Sequence, residues 1–385
     1  MSDRENPTAL PLPLPDAQAA SLTLCGRVAE RISAIGGWMP FAEFMNMALY
    51  LPGLGYYAGG AHKFGEVGDF TTAPELTPLF GQALARQIAQ VTTASAPVVL
   101  EAGAGSGRLA ADLLNALDAA GHAPDRYLIL ELSAELRARQ QETIEREMPQ
   151  LSNRVEWLDT LPESFSGCVL ANELLDAMPV HALAWRDGGV FERGVALDER
   201  GGFAWSERPA PGFLIAAAAE LPVASPFEGE IGLAARAWVA EWGRRLKKGA
   251  LLLIDYGLPR HELYHPQRNR GTLRCHYRHR SFDDPFWWPG LSDITTHVDF
   301  TAVAEAGFEA GLDVLGYANQ STFLMNCGIG ELLAARRGEN PKSAGAVNLL
   351  LAPGEMGEIF KVIALGRGIE APLLGFARGD RLHTL

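Results

Sequence analysis

The chain predicts an α/β fold, a mostly parallel sheet with helices on both faces, and three observations carry that expectation. Continuous apolar runs at "PVVLEAG", "RYLILEL", "RVEWLD", "GCVLANEL" and "ALLLIDYG" lack strict alternation, as strands covered on both faces do. Between the first two lies "RLAADLLNALDAAGHAPD", whose Leu109, Leu113, Leu114 and Leu117 recur at helical spacing before Gly121. The resulting order of strand, helix, strand, helix is that of a parallel sheet with right-handed crossovers.

The flanking elements follow in order. Residues 1–23 carry leucines that alternate with prolines and no basic segment before an apolar core, which predicts a mobile tail rather than a leader. Residues 24–95 form an N-terminal helical cap: apolar positions at Leu24, Val28, Ile32 and Ile35, then Phe41, Phe44, Met45 and Leu49, give two helices around "GGWMP". Thr77 before Pro78 predicts a third helix over 78–91, and Thr72-Ala-Pro-Glu75 is a competing capping box. The core occupies 96–184, 236–257 and 296–385, the last with a helix, a strand from "FTAVAEAGFEAGLDVLGYANQSTFLM", and a final strand "IFKVIALGRG". Two segments interrupt it. Residues 185–235 contain two β-like runs about a glycine turn, an inserted hairpin lobe, and residues 258–295 are rich in Arg, His and Trp with little periodicity.

Composition narrows the function. With 33 Lys and Arg against 46 Asp and Glu, the net charge of -13 repels a polyanion, so no nucleic-acid partner is expected. Apolar runs such as "FLIAAAAELPVA" fall short of the roughly 18 residues of a membrane span. Cys25, Cys168, Cys275 and Cys327 form no CxxC pair, which predicts neither a disulfide framework nor a zinc ribbon and favours a reducing, cytoplasmic setting. His261, His265, His276, His279 and Cys275 have superficial metal spacing, but a compact set of nitrogen and sulfur ligands is missing and no metal is expected. That arginine-rich loop reads as a solvated surface or a dock for an acidic segment, with Trp287 and Trp288 part of it or its anchor on the core.

The first apolar run breaks into Glu101-x-Gly103-x-Gly105-x-Gly107 where strand should turn into helix. Glycines there let a ligand approach the main chain, and amides at a helix start favour a negative group. A dinucleotide fingerprint would need its third glycine at Arg108. The pattern instead resembles motif I of the S-adenosylmethionine-dependent methyltransferases, where the glycine loop packs on the amino-acid half of the cofactor and an acid ending the second strand binds the ribose hydroxyls. Glu131 holds that place, its carboxylate able to accept two hydroxyl hydrogen bonds, and Asp159, ending the third run, is a weaker contact near the adenine. A glycine turn that serves only strand–helix packing is the bland alternative.

The segments "GYY" at 55–57, "GDFTTAPELTPLFG" at 68–81, "ANELLDAMPV" at 171–180, "IDYG" at 254–257, "GTLRCHYRHR" at 271–280 and "DITTHVDF" at 293–300 resemble the MidA-like family in order along most of the chain. The resemblance implies a class I methyltransferase, Rossmann-like, using S-adenosyl-L-methionine. It also implies protein arginine methylation of a partner, with a respiratory complex I subunit suggested by the family's mitochondrial member. Thr72 then belongs to a segment closing over the cofactor. Asn172, Glu173 and Asp176 follow the fourth strand, near the carboxyl ends where open sheets bind ligands. If 173–176 makes a helical turn, both carboxylates share one side and can orient a guanidinium that stays protonated at neutral pH. His297 assists proton removal or serves only as a structural histidine. A noncatalytic cofactor-binding assembly factor and a small-molecule methyltransferase remain open alternatives.

Overall fold

The computed structural model describes residues 10–59, 72–336 and 341–385. The chain divides into two packed units, one of Met1–Phe70, Asp176–Ala235 and Leu258–Asp299, the other of Thr71–Leu175, Arg236–Gly257 and Phe300–Leu385. The second is the sheet unit. Its strands are β1 (Val98–Ala102), β2 (Arg126–Leu130), β3 (Val155–Leu158), β4 (Phe165–Asn172), β5 (Leu246–Leu258), β6 (Asp313–Asn319) and β7 (Phe360–Arg367).

They line up as β6-β7-β5-β4-β1-β2-β3. Pairings from β5 through β4, β1 and β2 to β3 are parallel, whereas β7 runs antiparallel to both β5 and β6. The apolar runs become these strands because both sheet faces are covered: Val99, Leu100, Val169, Leu170 and Leu251 have no exposed surface. Helices α1 (Pro78–Ala94), α2 (Arg108–Ala119) and α3 (Ala134–Glu147) follow in the chain, and Leu84, Ile88, Leu109, Leu113 and Ile144 join one apolar cluster with the strands. The sheet order reverses between β1 and β4, so their carboxyl ends flank the crevice where such sheets bind ligands.

The other unit gathers what the sequence treated as three separate additions. Helices Pro15–Ala34 and Phe41–Tyr50 share an apolar cluster with Val180, Val195, Cys275, Phe282 and Ile294. The lobe is larger than a hairpin: Gly189–Leu197 pairs with His181–Arg186, Phe203–Pro209 and Met39–Pro40, and His181–Arg186 pairs with Phe227–Ile231. In the segment expected to lack structure, Arg274–Tyr277 pairs with both Arg280–Phe282 and Asp293–Thr295. Strands of three or four residues are too short to show a period, which is why the segment reads as irregular.

Other boundaries also move. The first helix begins at Pro15, inside the expected tail, because a proline preset for helix occupies its first turn, and Leu10 is already buried. The third helix of the expected cap, α1, belongs to the sheet unit because Leu79, Phe80 and Leu84 pack into that unit's cluster. Both threonines precede helices, but they act differently. The Thr77 hydroxyl accepts from the Leu79 amide at 3.3 Å, whereas the Thr72 side chain caps nothing and only its carbonyl accepts, from the Glu75 amide at 3.0 Å. Residues 68–71 of "GDFTTAPE" lie outside the described residues.

Candidate functional site in the sheet unit

The floor of the site is the bend after β1. Gly103, Gly105 and Gly107 all take positive φ, at 71°, 54° and 81°. Gly107 caps α2 without any side-chain bond, and a Cβ there would lie 2.9 Å from the Cα and 3.2 Å from the carbonyl oxygen of Gln140. Left-handed backbone and the close approach of α3 each demand glycine at this position. The Gly103 amide donates to the Leu130 carbonyl at 3.1 Å, fastening the loop to the end of β2. From the other side, the Ser106 hydroxyl donates to the Glu75 carboxylate, which ties the short helix Ala73–Leu76 to the loop. Glu75 therefore serves the loop and not the expected capping box.

Glu131 follows β2 directly and is half-buried. Its Oε1 accepts from the Ser133 amide at 2.9 Å and its Oε2 from Gln140 Nε2 at 3.1 Å. Burial pushes this carboxyl above its ordinary range, with the Ser133 amide as the first opposing influence. Gln140, fully buried, is the residue that sequence reasoning missed. Its Nε2 donates both to Glu131 and, at 3.1 Å, to the Gly105 carbonyl, while its Oε1 accepts from Trp157 Nε1 at 2.9 Å. An indole N–H only donates, so the Trp157 contact fixes which end of the amide faces which neighbour. One side chain thus connects the ends of β1, β2 and β3. A sequence signal exists: Gln140 stands between Leu136 and Ile144 on the buried stripe of α3, where an apolar residue is the rule.

Leu132, beside Glu131, is 79% exposed, an apolar side chain left at the rim of the site. Asp159 accepts from Arg137 Nη2 at 2.6 Å, and the same guanidinium donates to the Glu131 and Leu158 carbonyls at 2.6 and 2.7 Å. Glu101 lies elsewhere. Only 2% exposed in the interior of β1, it accepts from the Tyr127 hydroxyl at 2.5 Å, and burial raises its pKa to about 7. Its observed role is to hold β1 against β2 beneath the loop.

At the end of β4, Asn172 Nδ2 donates to Glu173 Oε1 at 3.0 Å, while the buried Asn172 Oδ1 has no hydrogen-bond partner. The expected helical turn over 173–176 is not formed: Glu173 takes φ 53° and the chain bends there. The reason is Asp255, in the last third of β5 and 1% exposed. Its Oδ2 accepts from the amides of Leu174 at 3.1 Å and Leu175 at 2.8 Å, its Oδ1 from Tyr256 at 2.9 Å, and the Glu173 amide donates to Ile254 at 2.9 Å. Those bonds hold residues 173–175 to the neighbouring strand with Glu173 in the left-handed region, which a right-handed helical turn does not admit. Asp176 and His297 fall in the other unit, where the Asp176 carbonyl accepts from Thr296 at 3.0 Å and the His297 amide donates to Thr272 Oγ1 at 3.0 Å.

A parallel sheet with one reversed strand at this place in its order, a glycine bend after the first strand and an acid after the second defines the class I methyltransferases. Comparison with known proteins agrees. A family model described as S-adenosyl-L-methionine-dependent methyltransferase matches residues 80–318. A Burkholderia thailandensis protein whose crystal structure holds S-adenosyl-homocysteine is 50% identical, with a TM-score of 0.95 over 98% of this chain and 100% of that one. The mouse protein named mitochondrial protein arginine methyltransferase NDUFAF7 is 29% identical over 86% of this chain and 81% of its own length. Its Drosophila melanogaster homologue is 27% identical over 94% and 91%. The chain belongs to this family of S-adenosyl-L-methionine-dependent methyltransferases.

The residues present fit that cofactor. Glu131 would take the ribose hydroxyls, the glycine bend leaves room for the amino-acid half, and the orphaned Asn172 Oδ1 offers an acceptor for an N–H donor.

Proposed function

We propose that this methyltransferase modifies an arginine side chain of a partner protein, a respiratory complex I subunit being the target class that the sequence resemblance suggests. The carrying observation is Glu173: a non-glycine residue held at φ 53° just beyond the carboxyl end of β4, its backbone pinned by Ile254 and the next two amides by Asp255. Such a conformation costs on the order of 1 kcal/mol or more and persists only where surrounding contacts impose it, as at functional sites. The names of the relatives as protein arginine methyltransferases support the same reading.

When bound, S-adenosylmethionine supplies an electrophilic methyl group. Glu173 accepts N–H bonds from the guanidinium, fixes the plane of the fork and draws positive charge away from the nitrogen that is to be methylated. Asn172, bonded to Glu173, sets the carboxylate rotamer. Asp176 is the second carboxylate in this reading and His297 the acceptor of the released proton. Thr72, Glu101 and Asp159 are kept as cofactor-site residues, Glu101 acting through the strand beneath the loop. Alignment of nitrogen with methyl carbon supplies most of the acceleration, an effect worth roughly 7–11 kcal/mol in well-oriented systems. A reducing, cytoplasmic compartment suits four cysteines that are all free.

The experiment is methyl transfer from tritiated S-adenosylmethionine into a cell lysate, followed by acid hydrolysis and chromatography. Label in methylarginine is expected, and label confined to another amino acid or to small molecules would defeat the reading. Glu173→Gln should bind S-adenosyl-homocysteine as the wild type does and lose at least about a hundredfold in turnover.

A further inference from the structure

The unit that lacks the glycine bend contains a second polar concentration, drawn from the segments "GYY", "ANELLDAMPV" and "DITTHVDF". Tyr57 donates its hydroxyl to both carboxylate oxygens of Asp293 at 3.0 Å each. The Tyr50 ring stacks on Tyr57, centroids 5.5 Å apart and planes 19° from parallel, and its hydroxyl donates to the Ala177 carbonyl at 2.8 Å. Asp176, one residue earlier, is 4% exposed, Asp293 3%. Burial drives the Tyr57 phenol well above its ordinary 10, and the charges of Asp293 and Asp176 push it the same way. Two carboxylates and two stacked phenols therefore share one neighbourhood. Tyr50 and Tyr57 are only half-buried and reach the surface.

Strand geometry brings in a fifth group. Ile294 of Asp293–Thr295 enters the apolar cluster with Cys275, Tyr277 and Phe282. Its neighbours at 293 and 295 must point to the opposite face, since successive side chains alternate. Thr295 is 2% exposed and its Oγ1 has no hydrogen-bond partner. A buried hydroxyl that makes no bond costs about 1–3 kcal/mol, a cost that an incoming polar group would remove. Across the strand pair, His276 lies opposite Asp293 and Arg274 opposite Thr295. Burial, then Arg274, depresses His276 to about 4, so it is neutral at pH 7, and Arg274 is drawn off by Asp283 at 3.1 Å and the Leu273 carbonyl at 2.8 Å.

We propose that Asp293, Asp176, Tyr57 and Thr295 form a receiving site for a guanidinium group of the protein substrate. The inference rests on the reading that this substrate is an arginine-bearing protein. Guanidinium is favoured over ammonium on three grounds. It is the more weakly hydrated cation and tolerates a buried site, its planar fork matches carboxylate acceptors, and its face stacks on aromatic rings. The threonine hydroxyl, in register with Asp293 on one strand face, accepts an additional N–H.

The test uses three small probes, N-acetyl-arginine methylamide and its citrulline and lysine counterparts, titrated into the full chain by ligand-observed NMR. The wild type should prefer the arginine probe to the citrulline probe by roughly tenfold or more, the worth of one charge-assisted bond, with the lysine probe between them. Asp293→Asn should abolish the preference and Thr295→Val should reduce it about threefold, both with unchanged S-adenosyl-homocysteine affinity by calorimetry. Should Asp293→Asn unfold, Thr295→Val, which removes one hydroxyl from a site already lacking its bond, still decides. Equal binding of arginine and citrulline probes to the wild type, or a preference intact in the variants, overturns the proposal. Failure of the methyltransfer reading looks different: the arginine preference persists while labelled hydrolysates contain no methylarginine.

Discussion

The two units place polar groups by different means. In the sheet unit the groups belong to neighbouring strand ends: the glycine bend follows β1, Glu131 follows β2, Trp157 lies in β3, and Gln140 joins them from the helix between β2 and β3. In the other unit Tyr57, in the turn after the helix Phe41–Tyr50, meets Asp293 on a strand across 236 positions of sequence, and the unit is built from three separate stretches of chain. A parallel sheet brings successive strand ends to one edge by construction, so local motifs foretell its site. An assembly of insertions has no such rule, and its site exists only once the fold is known.

If that contrast is right, the sheet unit should be intolerant of backbone change at its bend. Gly107→Val carries the largest expected effect: a branched side chain at φ 81°, with its Cβ 2.9 Å from the Gln140 backbone, combines strain and collision. A loss of at least about 3 kcal/mol in stability is expected, with S-adenosyl-homocysteine binding undetectable by calorimetry. Measurable wild-type affinity in this variant would show that the bend is not held by α3. Next comes Asp255→Asn. Its two oxygens accept three backbone amides, and the neutral amide keeps one acceptor oxygen, so about 2–3 kcal/mol should go in urea unfolding. Because those amides impose the Glu173 conformation, turnover should fall further than cofactor affinity, and equal losses in both would break the link from Asp255 to Glu173.

Gln140→Leu sharpens the comparison within the sheet unit. The substitution leaves Trp157 Nε1 without its acceptor and removes the bridge from Glu131 to Gly105, at a cost of about 1–3 kcal/mol. Cofactor affinity should weaken about tenfold, with no change in the preference for the arginine probe, which depends on the other unit. A loss confined to stability would mean that Gln140 only fills space.

Legibility in the sequence follows the same division. The apolar runs at β1, β2, β4 and β5, the glycine bend and Glu131 are readable because each depends on residues close in the chain, and the reversed final strand fits the order they set. The bend at Glu173 was not readable, since it depends on Asp255, which lies 81 positions from Leu174 and reaches it only through β4–β5 pairing. Spacing alone suggested a helical turn there, and tertiary hydrogen bonds outweighed it. Likewise the short strands Arg274–Tyr277, Arg280–Phe282 and Asp293–Thr295 are held by each other and by the apolar cluster under them, with too few residues apiece to show a pattern.

Glu101 offers the smallest effect and the most specific one, because it appears only as a slope against pH. Its pKa stands at about 7 in the fold against an ordinary 4.5, chiefly because it is buried, and the Tyr127 hydroxyl only partly offsets that burial. A carboxyl with a raised folded pKa binds its proton more tightly in the native state. Its stabilising contribution is therefore complete below about pH 4.5 and is lost as pH rises to about 7. The whole excursion is on the order of 3 kcal/mol. Glu101→Gln keeps an acceptor for Tyr127 and cannot ionise, so its urea midpoint relative to wild type should climb from pH 5 to pH 7.5 and then level off. A difference independent of pH would mean that Glu101 ionises without penalty beneath the bend. The climb would identify the interior of β1 as a place where pH acts on the cofactor floor, in addition to the raised carboxyl of Glu131 above it.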